Sequence, residues 1–236
     1  LQDVWKGDPN GVRDVLRYPV RRSLDWTDIR APDPTRGEFG RTAEVVKAVC
    51  DGLGTAGVPV ALGVPSPLAQ AARLSGNETL LRHMRTRPDR LLTGLATLTE
   101  STLRFLDSIR NIGLSGIDLC IEHADFDTLS EPEYEAFGLP GDIAVLSGTP
   151  KNCWIKLAYF RGNSPMPRMF SKLQANVVGW DDRAGETDLS AGRTAWSGAV
   201  CGGLDAERHM RAGTPTSVRD AVREAIQTLE GRMLIV

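Results

Sequence analysis

The chain has 236 residues, 41% hydrophobic and 25% charged, with 28 Lys and Arg against 30 Asp and Glu for a formal charge of −2. That size and apolar content fit a single large folded domain over residues 1–236 rather than a disordered chain, and the near-balance of charge argues against nucleic acid as partner, which selects a basic face. No apolar run reaches the roughly 18 residues of a membrane span, so no membrane partner is expected.

The polar opening residues, interrupted by Pro9 and Pro19, are unlike a signal peptide. Cys50, Cys120, Cys153 and Cys201 lie far apart, as reduced thiols in the cytoplasm do. The first residue is Leu1 and the last are the apolar Met233–Val236, so the reading expects more chain at both ends.

Residues 1–35 read as irregular, with Asp8-Pro9-Asn10-Gly11 and Ala31-Pro32-Asp33-Pro34 as breakers. Val45, Val46 and Val49 then recur at helical spacing between about Arg36 and Leu53. The apolar run Val58–Val64 predicts a buried strand, after which Ser66 is an N-cap with Pro67 at the first helical position. That helix ends at Gly76, Asn77 caps the next to Arg87, and Pro88 opens a long one to Ile112. Gly116–Ile121 is the next strand, and Ser130 with Pro132 opens a helix from Glu131 to Leu146. Further strands are predicted at Cys153–Tyr159, Asn176–Gly179, Gly198–Cys201 and Met233–Val236. A helical turn falls near Met169–Leu173, and Thr214-Pro215 caps a helix over Ser217–Glu230. Strands alternating with helices specify a parallel sheet with helical crossovers, either an open doubly wound sheet or a barrel. No Gly-x-Gly-x-x-Gly follows the first strand, which favours the barrel.

Several segments, in this order, resemble the uroporphyrinogen decarboxylase (URO-D) family: Arg17-Tyr-Pro-Val20 with Asp25-Trp26, Val64-Pro-Ser-Pro-Leu68, Glu122-His-Ala124, Leu129-Ser-Glu-Pro-Glu-Tyr134 with Asp142-Ile-Ala-Val-Leu146, Trp180-Asp-Asp-Arg183, and Gly202-Gly-Leu-Asp205 with Gly213-Thr-Pro215. The resemblance implies an α/β fold, a (β/α)₈ TIM barrel with its terminal strands outside residues 1–236, and by analogy with relatives a homodimer. It also implies one of two chemistries: cofactor-free decarboxylation of a carboxylated small molecule, or methyl transfer linked to a corrinoid and a zinc-bound thiol. Ala71 stands where the decarboxylases carry a tyrosine, and Glu122 where they carry a serine. Tyr159 and Arg161 occupy the His-x-Cys zinc positions of the methyltransferases, and neither is a usual zinc donor. The reading therefore takes a carboxy-lyase without cofactor or metal as its first expectation, methyl transfer as its alternative, and a non-catalytic ligand-binding barrel as the third.

Barrel active sites lie at the C-terminal ends of strands, which selects the candidates. Glu122 and His123 are expected as acid and base, joined by Asp182, because carboxylates and imidazoles can be tuned to transfer protons near neutral pH. Arg161 and Arg183 offer guanidinium forks for a substrate carboxylate. Ser66, Tyr159, Trp180, Gly203 and Asp205 complete the expected substrate-binding set. His83 and His209 are assigned to helices, the Arg82, Arg85, Arg87 and Arg90 cluster to a solvated face, and Met166 and Met169 to a mobile lid.

Overall fold

The computed structural model describes residues 2–4, 14–54, 56–183, 185, 187–231 and 234–235. Its centre is a six-stranded parallel sheet built from β3 (Ala61–Pro65), β4 (Gly116–Ile121), β5 (Ile155–Phe160), β6 (Val177–Trp180), β7 (Ala199–Cys201) and β8 (Leu234–Ile235). The strands lie side by side in chain order, without the reversal that gives a doubly wound sheet its switch point. This order resolves the two architectures left open by the alternation: it is that of a barrel wall, and six of its strands are described.

The helices between these strands start where the local chemistry dictates. Ser66 Oγ accepts from the Ala69 N–H at 3.2 Å and Pro67 opens α3 (Pro67–Ser75). Ser130 and Glu133 form a reciprocal capping box on α6 (Glu131–Phe137). Thr214 caps α9 (Pro215–Thr228) in the same way with Ser217. The helices α4 (Asn77–Thr86) and α5 (Pro88–Ser108) complete the first crossover, with Leu80, Met84, Leu91, Leu95, Leu98, Phe105 and Leu106 buried.

The core lies between the sheet and these helices. Along β4 the outward Ile117, Leu119 and Ile121 are buried while Asp118 and Cys120, on the other face, are only part-buried, the period-two alternation of a strand. Phe160, Phe170 and Trp180 stack in series behind β5 and β6, with ring centroids 4.7 and 5.1 Å apart. Each such ring removes enough apolar surface from water to contribute about 2–3 kcal/mol.

Several predicted elements are revised. The opening segment is not wholly irregular: β1 (Gln2–Val4) pairs antiparallel with β2 (Asp14–Arg17), and α1 (Asp25–Asp28) buries Trp26; the predicted breaker Asp8–Gly11 lies outside the described residues. In α2 (Gly37–Gly54) Val46 and Cys50 are buried, whereas Val45 and Val49 face outward. The helix expected over 131–146 breaks at Gly138 into α6 and α7 (Leu139–Ser147), because Pro140 can sit only in a first turn. Two elements were not foreseen: α8 (Leu189–Ala195), and a π-helical turn over Ala206–Arg211. Met166 and Met169 are fully buried around the 3₁₀ turn Pro167–Lys172, so they belong to the core and not to a lid.

Candidate functional site

The parallel register places side chains in layers on the inner face of the sheet. Cys120 lies opposite Pro65 on β3 and Tyr159 on β5; Tyr159 lies opposite Gly179 on β6, and Gly179 opposite Cys201 on β7. One layer deeper, Asp118 lies opposite Gly63 and Leu157. Arg161, just past the end of β5, holds its guanidinium 5.7 Å from the centre of the Tyr159 ring. Its backbone N–H donates to the Ile121 carbonyl at 2.7 Å, which extends the sheet to the mouth.

Gly179 makes this layer possible: a Cβ at that position would lie 2.6 Å from the Tyr159 ring and 3.0 Å from the Cys201 carbonyl. The ring therefore occupies the space that a side chain at position 179 would fill. The Cys120 thiol lies 3.9 Å from Asp118 Oδ2 and 3.8 Å from the Asp118 carbonyl, within reach of a weak S–H hydrogen bond.

Burial dominates the electrostatics of this cluster. It pushes the Asp118 carboxyl above its ordinary range, against the opposing pull of the Arg161 charge. The same desolvation raises the Cys120 thiol, aided by the Asp118 charge, and raises Cys201 and Tyr159 as well. Asp118 Oδ1 is buried without a hydrogen-bond partner, an uncommon condition for a native carboxylate. The cluster thus joins a carboxyl whose ionisation is opposed by burial, a thiol and a guanidinium on the inner face of β4 and β5.

The sequence-predicted residues fall into three groups. Tyr159 and Arg161 belong to the inner layer. Asp182, Arg183 and Gly203 come together, but mainly with one another: Asp182 Oδ1 accepts from the Gly203 N–H at 2.7 Å, and Arg183 Nη2 donates to the Gly203 carbonyl at 3.2 Å. Arg183 also pairs with Asp182 at 3.2 Å and Glu224 at 3.4 Å, so its charge is already matched. Gly203 adopts φ +103°, which a side chain would strain. Burial raises the Asp182 carboxyl, and the Gly203 N–H opposes that rise.

The third group lies away from the inner layer. Glu122 pairs with Arg73 of α3 at 2.6 Å. His123 is 3% exposed, its Nε2 lies 3.2 Å from Asn77 Oδ1, and burial pushes its imidazole toward the neutral form. Ser66 is a buried helix cap, and Trp180 points to the outer face, its Nε1 donating to the Thr187 carbonyl at 2.7 Å. Asp205 caps the π-helical turn by accepting from the Arg208 N–H at 2.7 Å, while His209 Nδ1 accepts from the Asp205 N–H. His83 is likewise a structural acceptor, bonded by Trp26 Nε1 at 3.0 Å.

Sequence reasoning passed over Asp118, Cys120 and Cys201. The signal for Asp118 was a carboxylate inside the otherwise apolar strand Gly-Ile-Asp-Leu-Cys-Ile, where burying a charge is costly unless something uses it. Among the described residues no group of three His, Cys, Asp or Glu side chains is close enough to share a metal ion.

Comparison with known proteins agrees with this architecture. Among solved structures the chain is similar to a methyltransferase from Methanosarcina mazei, at a TM-score of 0.79 and 17% identity, over 92% of this chain. The chain spans 63% of the length of that structure, and at this identity the likeness establishes the fold. None of the curated proteins matches it. The description of the family called uroporphyrinogen decarboxylase (URO-D) matches residues 7–235, nearly the whole sequence, and the chain belongs to that family.

Proposed function

We propose that the chain carries the substrate-binding interior of an enzyme that transfers a methyl group from or to a small carboxylated molecule. The observation that carries this reading is the inner cluster of Asp118, Cys120 and Arg161, and the likeness of the fold to that of a methyltransferase supports methyl transfer. Arg161 stands at the mouth with no carboxylate bonded to it among the described residues, placed to receive a substrate carboxylate as a fork. When a methyl group passes from an oxygen or nitrogen to a nucleophilic acceptor, the acceptor supplies the electron pair of the new bond to carbon, the C–O or C–N bond breaks, and its electron pair stays on the heteroatom. Asp118, whose burial favours the protonated form, supplies the proton that neutralises it.

Zinc, which the resemblance attaches to the methyl-transfer branch, does not fit the end of β5, because Tyr159 and Arg161 stand at the donor positions. The proposal gives that position no metal. A corrinoid would act as the methyl carrier, and no described side chain is assigned to hold it.

Decarboxylation is the second reading, favoured by the same pair of groups. Arg161 would hold the carboxylate, the C–C bond would break with loss of CO₂, and the Asp118 proton would go to the carbon that keeps the electrons. One experiment separates the two. The protein is incubated with methylcobalamin and a carboxylated thiol acceptor, mercaptoacetate, while the visible spectrum is followed, and in parallel with uroporphyrinogen III while CO₂ is collected. Loss of the methylcobalamin spectrum at a rate proportional to protein supports methyl transfer. Release of CO₂ with an unchanged corrinoid spectrum overturns it in favour of decarboxylation, and activity in neither assay counts against both and favours a ligand-binding barrel.

A further inference from the structure

We propose that the cavity between the Leu16–Asp25 segment and the α3–α4 corner is a binding site for a small dianion, either a phosphoryl group or two neighbouring carboxylates. This cavity, of about 1460 Å³, is distinct from the inner layer of the sheet. Among the described residues its wall carries four arginines, Arg17, Arg21, Arg22 and Arg82, against a single carboxylate, Asp25. That excess of positive charge occurs in a chain whose formal charge is −2. Asp25 is already engaged. Its Oδ2 accepts from the N–H groups of Arg21 and Arg22 at 2.9 and 2.8 Å, and its Oδ1 accepts from Arg22 Nε and Nη2 at 3.1 and 3.0 Å.

Among the described residues three guanidinium groups are thus left without a counter-charge. Among the described residues the side chains of Arg17 and Arg21 have no ion-pair partner, and Arg82 reaches only Thr79 Oγ1 at 3.5 Å. Like charges gathered on a concave wall repel one another and raise the local potential, and an anion bound between them relieves both effects. Planar guanidinium forks match the oxygens of phosphate and carboxylate. Three such forks call for more than one negative charge.

The wall is also held in place before any ligand arrives. The Val20 N–H donates to the Leu74 carbonyl at 3.1 Å, Val20 and Trp26 are buried, and the Tyr18 ring lies over Gly76. A fixed wall spares the bound state part of the ordering cost of association. Arg73 and Asn77, from the same corner, reach Glu122 and His123 at the end of β4, so the cavity borders the mouth of the sheet. The inference does not rest on the reaction proposed above, because its test reads binding and not turnover.

The test is calorimetric titration of the purified protein at low ionic strength with inorganic phosphate and, separately, with citrate. At least one probe is expected to bind with one-to-one stoichiometry. The Arg17→Ala/Arg21→Ala variant should weaken that binding tenfold or more, Arg82→Ala should weaken it as well, and Arg17→Lys/Arg21→Lys should retain a larger share of it. Phosphate binding alone assigns a phosphoryl ligand, and citrate binding alone assigns a polycarboxylate. Melting temperatures measured without anion confirm that the variants fold. Absence of binding for both probes, or an alanine variant that binds as the parent does, overturns the proposal.

Discussion

Asp142 offers a sharp test of the physical account. It lies in the first turn of α7, fully buried, with Oδ2 accepting from the Tyr134 hydroxyl at 2.7 Å and Oδ1 unpaired. Burial raises its carboxyl from an ordinary 3.8 to about 7, with the Tyr134 bond pulling the other way. The folded state therefore holds this proton more tightly than the unfolded chain does. Its contribution to stability is complete below about pH 4 and is lost as the pH rises through about 7. The interval from 3.8 to about 7, at about 1.4 kcal/mol for each pH unit, corresponds to about 4 kcal/mol.

Asp142→Asn keeps the acceptor for Tyr134 and removes the titration, but leaves amide N–H donors buried without partners, at a cost of about 1–3 kcal/mol. The variant should accordingly gain on the parent steadily as the pH rises from about 4 to about 7, and should be the more stable of the two above about pH 7. Urea unfolding followed by tryptophan fluorescence, at intervals from pH 5 to 8.5, measures the difference, and other titrating groups cancel between the two proteins. If the stability difference between parent and variant stays constant across that range, the assignment of a buried, proton-holding carboxyl at Asp142 is refuted.

The other predictions concern the inner face and one helix cap. Arg161→Ala should raise KM for a carboxylated substrate tenfold or more, with Arg161→Lys intermediate; unchanged kinetics would remove Arg161 from the site. Asp118→Asn should lower kcat by about 10²-fold or more with KM nearly unchanged, as expected for a group that acts in proton transfer. Gly179→Ala should drive the Tyr159 ring off its seat, lowering kcat/KM while circular dichroism stays native in shape, and full activity in that variant would show that the ring position is irrelevant. Ser130→Ala should lose the capping box of α6 and about 1 kcal/mol, read as a drop of a few degrees in Tm.

Much of the candidate site was hidden from the sequence for a definite reason. Glu122, His123 and Asp182 were attractive because they follow strands, yet the positions of Arg73, Asn77 and the Gly203 N–H decide what each of them does. Those partners are 49, 46 and 21 residues away along the chain. Conversely, Asp118 sits in the middle of a strand, where the rule that favours strand ends does not look. Arg161 is selected on its chemistry, and the structure places its guanidinium 5.7 Å from the centre of the Tyr159 ring.

The sequence by itself determined the alternation of strand and helix, the caps at Ser66, Ser130 and Thr214, and the family resemblance. Those features depend on neighbours within a few residues or on a linear order of motifs. The family resemblance already implied a barrel, and the tertiary structure supplied the strand order that agrees with it, since strand order is a fact about non-local pairing. The tertiary structure also decided which face of each strand turns inward, gathering Asp118, Cys120, Tyr159 and Arg161 while turning Trp180 outward. The same holds for the arginine-lined cavity, where a cluster that reads as a solvated helical face gives Arg82 to one wall and leaves the rest of that wall to residues some sixty positions earlier. Charge and burial become functional only when distant segments share a surface, and no periodicity in the chain encodes that meeting.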